Sequence, residues 1–349
     1  MNGCEIGDRC GGCPRRGATR AAEVSEKAHA LTPWLGRAVP LHTIADDGLR
    51  DRIDLRWDGA SFGLLDRDGD QVVPIGTCPA ASPALSAWID AFRSAPLPIG
   101  RAGIRLRVSP TGRRGVWIDA ANLDIRRLLD QADWLSGWRD ADVTVEVGQR
   151  RKPVRWTDGR PALARAPALG PWWQTWRGSQ PTPVWIPVGG FSQPSLAANR
   201  VLVERVLAAA HATGATDWDE LGAGAGNLTV PLATIGAVRS IESDPIACDG
   251  WRQTTSGLAG VALEVGDLRT AAIRATAVLA DPPRSGLGGA VAAITASDAR
   301  HLVLVSCATD ALARDAAALR AAGWSVADAE GVDQFPRAAA VEWITRWRR

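Results

Sequence analysis

Asp217-Trp-Asp-Glu-Leu-Gly-Ala-Gly-Ala-Gly-Asn-Leu228 is the stretch whose reading decides the fold. It reads as a short strand running into a glycine-rich turn and then a helix. Gly222, Gly224 and Gly226 let a ligand approach the backbone at a helix N-terminus. Upstream, Leu196–Thr213 has the periodicity of an amphipathic helix. Downstream, apolar strands alternate with helical segments, the signature of a parallel α/β sheet. Each strand ends in polar residues: Val238–Ile241 in Glu242, Val261–Val265 in Gly266-Asp267, and Ala277–Ala280 in Asp281-Pro-Pro-Arg-Ser-Gly286. Such ends line the crevice where open α/β sheets bind ligands, and Glu242 stands where an acidic residue takes a ribose diol. The loop lacks the G-x-G-x-x-G order, so the spacing suits S-adenosylmethionine better than a dinucleotide.

The next strand, His301-Leu-Val-Leu-Val-Ser306, closes on Cys307. A cysteine ending an apolar strand is commonly packing. Here it shares the sheet edge with the Asp-Pro-Pro-Arg turn, which favours a nucleophile. Carbon-5 of a pyrimidine is a poor nucleophile, and adding a thiolate at carbon-6 makes an enolate that can take a methyl group. Methyl transfer to an exocyclic amine needs no such cysteine.

Before residue 190 the pattern is different. Asp51–Trp57, Gly103–Val108, Gly115–Asp119, Val143–Val147 and Pro183–Val188 read as strands punctuated by Pro and Gly, with helices over Ser82–Arg93 and Leu123–Leu135. The Pro-, Gly- and Trp-rich stretch 161–187 reads as a connector whose tryptophans are either buried or free to stack on bases. Charge is uneven too. Residues 1–190 hold 26 Lys/Arg against 21 Asp/Glu, and residues 191–349 hold 14 against 17. The basic clusters Arg15-Arg16, Arg113-Arg114 and Arg150-Arg151-Lys152 with Arg155 lie in the first part, where they could contact phosphates or simply be solvated.

The chain has 349 residues, 46% of them hydrophobic and 22% charged, which excludes disordered and collagen-like classes and gives room for two or three domains. No apolar run reaches a membrane span and the N-terminus has no apolar signal core, so no membrane association and a cytoplasmic location are expected. Tyr is absent and Lys occurs only at Lys27 and Lys152, so nearly every cation is Arg. Six cysteines without a secretory signal do not imply disulfides. Cys4, Cys10 and Cys13 form C-x5-C-x2-C, one thiolate short of a closed set, and Cys78 in Gly76-Thr77-Cys78-Pro79 is the best fourth. Four thiolates suit zinc or an iron–sulfur cluster. Cys248 reads as a packed thiol.

Together these segments resemble the RNA uracil-5-methyltransferases, which make 5-methyluridine in 23S rRNA or tRNA. The resemblance covers nearly the whole chain. It rests on C-x5-C-x2-C with Cys78-Pro79; on Phe191-Ser-Gln-Pro-Ser-Leu-Ala-Ala-Asn199; on Glu220-Leu-Gly-Ala-Gly-Ala-Gly-Asn227; on Asp281-Pro-Pro-Arg-Ser-Gly286; on Val305-Ser-Cys-Ala-Thr-Asp-Ala-Leu-Ala-Arg-Asp315; and on Asp333-Gln-Phe-Pro-Arg-Ala-Ala-Ala-Val-Glu342. It implies an α/β fold. A C-terminal Rossmann-like methyltransferase domain with a mostly parallel sheet follows a β-rich central domain carrying an iron–sulfur cluster loop. The corresponding division is 1–85 (cluster loop and first part of the RNA-binding domain), 86–188 (its remainder and linker) and 189–349 (catalytic domain).

The resemblance also implies roles. Cys307 matches the nucleophile and Glu342 the base that removes the carbon-5 proton. Gln193, Gly222, Asn227, Glu242, Asp267 and Asp281 match positions of the S-adenosylmethionine pocket. Cys4, Cys10, Cys13 and Cys78 match the ligands of a [4Fe–4S] cluster. The implied substrate is structured RNA, 23S rRNA ahead of tRNA, acted on by a monomer; the family's N-terminal RNA-binding barrel has no counterpart. A non-catalytic RNA-binding or ribosome-assembly protein is the alternative reading. Departures from the family pattern are Gly222 for an aromatic residue, Ser195 for Asn, Ala308-Thr309 for Asn-Pro after Cys307, and Ala338–Ala340 where Thr and His are usual.

Overall fold

The computed structural model describes residue 4 and residues 6–349. Among the described residues the strands form two eight-stranded sheets and one hairpin. The C-terminal sheet runs in the order Leu41–Thr43, Ser325–Asp333, Glu342–Arg348, His301–Ser306, Ala277–Ala280, Asp217–Leu221, Ala237–Glu242 and Val261–Val265. All its strands are parallel except Glu342–Arg348. Asp217–Leu221 lies inside the sheet. The chain winds outward from it to Ala237–Glu242 and Val261–Val265, then returns to add Ala277–Ala280 and His301–Ser306 on its other side. That reversal opens a crevice at the strands' C-terminal ends. Because Glu342–Arg348 is antiparallel, its first residue lies at this same edge, with Trp343 opposite Ser306.

The inner strands Ala277–Ala280, His301–Ser306 and Glu342–Arg348 are buried on both faces, as helix-covered central strands must be, while the edge strands are partly exposed. Helix Leu196–His211 packs on one face, and Ala290–Ala296 with Thr309–Ala321 on the other. The N-terminal helix Arg20–His29 and the three-residue strand Leu41–Thr43 also join this body, the latter pairing parallel to Gly331–Asp333.

The central sheet runs Val72–Pro74, Phe62–Leu65, Arg52–Trp57, Ala102–Val108, Arg114–Asp119, Val143–Val147, Lys152–Thr157, Arg160–Leu163. Helix Pro83–Arg93 packs against it around an aromatic cluster of Trp88, Phe92, Trp134 and Trp138. The helical pattern over Leu123–Leu135 is two helices, Asn122–Leu129 and Ala132–Asp140, because Asp130-Gln131 turns the chain between them. The stretch 161–187 is not a connector. It holds the strand Arg160–Leu163 and the hairpin Gly170–Arg177/Gln180–Ile186. Pro181 and Pro183 disguised the hairpin, but in a two-stranded ribbon every strand is an edge and tolerates proline. Trp172, Trp173 and Trp176 are buried beneath it. No helix is long and apolar enough to cross a membrane.

Candidate active site

The glycine-rich turn is held by its neighbours' strand ends. Gly222 and Ala223 N–H groups donate to the Ile241 carbonyl, and Asp281 N–H donates to that of Leu221. Gly222 has φ +80°, and a Cβ there would lie 2.8 Å from the Asp281 carbonyl oxygen. Side chains are excluded on both counts, which accounts for glycine at a position where an aromatic residue is common. Glu242 fixes the turn from beside it. Its carboxylate accepts from Gly224 N–H at 2.8 Å and from the Ser243 and Asp244 N–H groups at 2.7 and 2.8 Å. A carboxylate has about four acceptor sites, so capacity for a ligand hydroxyl remains. Below the turn, Glu220 accepts from Thr229 and Ser240 hydroxyls at 2.5 and 2.6 Å, and burial pushes its carboxyl up to about 7.

Asn227 is occupied differently. Its amide exchanges two 2.9 Å hydrogen bonds with Asn199, and its carbonyl accepts from the Thr175 hydroxyl. Asn227 thereby ties the turn to helix Leu196–His211 and to the hairpin. Asp267, half-buried just beyond the strand Val261–Val265, receives hydrogen bonds from Arg269 that hold its carboxyl at about 2.

The centre of the crevice gathers Asp281, Cys307 and Glu342 from three neighbouring strand ends. Asp281 is half-buried; desolvation raises its carboxyl well above the usual range, with Glu342 and Glu220 adding to the effect. Burial also pushes the Cys307 thiol up, reinforced by Glu342 and Asp281 and opposed by Arg284. Glu342 is 4% exposed, and burial lifts its carboxyl to about 7 against the hydrogen bond from Gln334 and the charge of Arg284. These shifts follow from one fact: two carboxyls and a thiol share a poorly solvated space with a single facing cation, Arg284.

Gln334, which the sequence did not single out, organises this centre. Its Nε2 donates to Gln193 Oε1 at 2.7 Å and to Glu342 Oε1 at 2.8 Å. Gln334 is positioned in turn by Asp333, which receives Lys27 at 2.9 Å and Arg20 at 2.7 Å. Lys27 is buried and has three acceptors for three protons: Glu23 at 2.6 Å, Asp333, and the Phe335 carbonyl at 3.0 Å. Gln193 is held from the other side. Arg105 and Arg107 donate to the Gly190 carbonyl and Arg52 to that of Ser192, clamping 189–192 onto the central sheet.

Two of the departures have structural uses. Ser195 caps helix Leu196–His211, its hydroxyl accepting from Ala198 N–H, a role Ser and Asn share. Thr309 accepts from the Trp343 indole at 2.9 Å, linking the helix after Cys307 to the strand that begins with Glu342.

Cys4, Cys10, Cys13 and Cys78 line one cavity with Arg16, Arg50 and Arg337. None forms a disulfide. Burial raises the Cys10 and Cys13 thiols, and the neighbouring thiols raise both further, while Arg50 opposes. Gly11 lets this loop lie on the Phe62–Leu65 strand, donating to the Leu65 carbonyl at 3.0 Å where a Cβ would meet the Asp66 carbonyl oxygen at 2.5 Å. Among the described residues, however, no group of three or more His, Cys, Asp or Glu is set to hold a metal ion. The four cysteines share the lining of one cavity, but the expected metal centre is not displayed among the described residues.

No protein-family model matches the chain. An uncharacterized RNA methyltransferase of Bdellovibrio bacteriovorus is 32% identical over 358 residues, spanning 96% of this chain and 92% of its own. The 23S rRNA (uracil(1939)-C(5))-methyltransferase RlmD of Chromohalobacter salexigens is 28% identical over 368 residues, covering 97% of this chain and 74% of that one. The chain belongs to the RNA uracil-C5-methyltransferase family. A family fold accompanies the sequence likeness: the Pyrococcus abyssi tRNA (uracil-54, C5)-methyltransferase, solved with S-adenosyl-L-homocysteine, superposes with a TM-score of 0.73 over 96% of this chain and 85% of its own, at 20% identity. The likeness in fold thus extends across both sheets.

Proposed function

We propose that this protein transfers a methyl group from S-adenosylmethionine to carbon-5 of a uridine in RNA, with 23S rRNA as the expected substrate. The observation that carries the reading is the meeting of Cys307, Asp281 and Glu342 at one crevice edge, with the glycine-rich turn beside them. S-adenosylmethionine supplies the electrophilic methyl group. Glu242, Gln193 and the open face of Gly222–Gly226 present donors and acceptors suited to its polar groups, Asp267 closes the pocket's outer end, and Asn227 acts through its amide pair on the turn.

The protein's own residues then account for the covalent steps. The Cys307 thiolate adds to carbon-6 of the uracil, its electron pair forming the carbon–sulfur bond while the carbon-5–carbon-6 π pair shifts toward carbon-4 and leaves an enolate oxygen. Carbon-5 takes the methyl group, Glu342 accepts the proton that carbon-5 still carries, and the carbon–sulfur bond breaks to return the thiolate. A carboxyl near 7 is a base poised for this exchange at neutral pH. The target base must leave its stack to reach so enclosed a centre.

Cys4, Cys10, Cys13 and Cys78 hold a [4Fe–4S] cluster in this reading. Four reduced thiols around one cavity, with Arg16, Arg50 and Arg337 to offset thiolate charge, support it. The experiment is mass-spectrometric mapping of RNA methylated by the purified protein. Appearance of 5-methyluridine in 23S rRNA is expected; 5-methylcytidine, or no product from rRNA or tRNA with S-adenosylmethionine bound, overturns the reading.

A further inference from the structure

A groove of about 660 Å³ lies on the central domain, away from the crevice, between helix Ala132–Asp140, the strands Val143–Val147 and Lys152–Thr157, and the hairpin. Its walls alternate cations with indoles. Arg139 stacks over Trp156 at 4.3 Å and Arg113 over Trp172 at 5.0 Å, and the exposed Arg155 completes the basic lining. Trp172 is buried, so it serves as a platform for Arg113; Trp156 is half-buried and keeps part of its ring open.

Cations outnumber free acids in this groove, Arg113, Arg139 and Arg155 facing one exposed carboxylate, Asp142. Across 150–165, among the described residues, Arg151 alone reaches a carboxylate, Asp244 at 3.8 Å. Arg139 shares its guanidinium only with the exposed Asp140. Of the two acids in the lining, Glu146 is buried and its two oxygens accept the Val188 and Gly189 N–H groups. Those residues, and Trp185 in the wall, belong to the segment that leads to Gln193. A concave row of cations interleaved with flat aromatic faces is the arrangement that binds single-stranded nucleic acid, phosphates on the cations and bases on the rings.

We propose that this groove holds a single-stranded stretch of the RNA substrate flanking the target nucleotide, with phosphates on Arg113, Arg139 and Arg155 and a base against Trp156. The proposal rests on the RNA reading above. The test uses the full chain and a fluorescent oligouridylate of about 12 nucleotides, titrated at several salt concentrations, beside methylation of an rRNA transcript. Replacing all three arginines by Ala should lower the slope of log affinity against log salt by about 2 and weaken binding about 100-fold at ~0.1 M salt, since each single-strand phosphate contact contributes about 0.7 to the slope. The loss should appear in KM for RNA, with calorimetric affinity for S-adenosylmethionine unchanged. Trp156→Ala should weaken oligouridylate binding about tenfold or more, and Trp156→Phe should restore it. A wild-type protein that methylates RNA while the triple variant keeps its salt slope and KM overturns the groove alone, as does methylation without oligouridylate binding. A wild-type protein that neither binds nor methylates any RNA overturns the underlying reading and the groove with it.

Discussion

Gln334→Met removes one amide and nothing else of comparable size, which makes it the sharpest probe of the proposed base. In the wild type, Gln334 Nε2 donates to Glu342 at 2.8 Å and so favours the ionised carboxylate, against burial that pushes it up to about 7. A hydrogen bond to a charged group contributes about 1.5–3 kcal/mol. At about 1.4 kcal/mol per unit, its loss raises the Glu342 pKa by about one to two units. The ionised fraction at pH 7 then falls from about a half to between about a tenth and a hundredth, so proton removal slows about 5- to 50-fold. Raising the pH restores the carboxylate, so the deficit should shrink up to about fivefold per unit and be about twofold or less by pH 9. The assay follows decay of the methylated protein–RNA adduct to free RNA after mixing, from pH 6 to 9. Folding provides the control: methionine removes the unpartnered Gln334 Oε1 but also takes the donor from Glu342 and Gln193, so the melting temperature should fall by several degrees while unfolding stays cooperative. A rising limb that stays where it was, or a deficit of equal size at pH 7 and 9, refutes the argument.

Cys307→Ala should abolish both methylation and RNA adducts, whereas Glu342→Gln should permit methyl transfer and accumulate a methylated adduct on denaturing gels; methylation surviving in the first variant removes Cys307 from the chemistry. Lys27→Met leaves Glu23 and Asp333 buried with one cation fewer and should cost about 3–5 kcal/mol in urea unfolding; Lys27→Arg should also destabilise, because a planar fork cannot meet three acceptors placed around one ammonium. Purified without oxygen, the protein should carry about four irons per chain, and Cys78→Ser should lose them; stoichiometric zinc in place of iron would count against the cluster. Glu242→Ala should weaken S-adenosylmethionine binding in calorimetry by about 5- to 150-fold, through lost hydroxyl acceptors.

The crevice was legible because its signals are local. Val261–Val265, Ala277–Ala280 and His301–Ser306 are largely apolar stretches that stop at a polar or glycine residue, while Asp217–Leu221 and Ala237–Glu242 are marked by the Gly222 and Glu242 at their ends, and each stop is a strand end. What was not legible depends on distance along the chain or on disguised periodicity. Leu41–Thr43 is too short to show alternation, and it becomes a strand only because Gly331–Asp333 offers an edge. The hairpin was masked by prolines that its edges tolerate. Gln334 looked like part of a loop, and nothing local marks its two acceptors, one of them 141 residues away. Lys27 carried a faint signal: in a chain with 40 Lys and Arg together, it is one of two positions that stayed Lys. The structure supplies the reason, three convergent acceptors around one ammonium.

The same network explains how a carboxyl can be both buried and reactive. Burying Glu342 opposes its ionisation, and a neutral acid is no base. The chain answers with held donors in place of water: Gln334 stands on Asp333, Asp333 is held by Lys27 and Arg20 from the N-terminal helix, and Arg284 faces the carboxyl across the crevice. Arg337, whose main-chain N–H donates to Glu23 at 2.7 Å and whose carbonyl accepts from Arg15 N–H at 3.0 Å, extends this support to the cysteine loop. Its side chain lines the four-thiol cavity. One short loop, 333–342, therefore takes its shape from the N-terminal helix, the thiol cavity and Gln193 together. Disturbing any of these should displace the base without touching it, whereas Cys307 is set by the buried strand His301–Ser306 and by the Trp343–Thr309 hydrogen bond behind it.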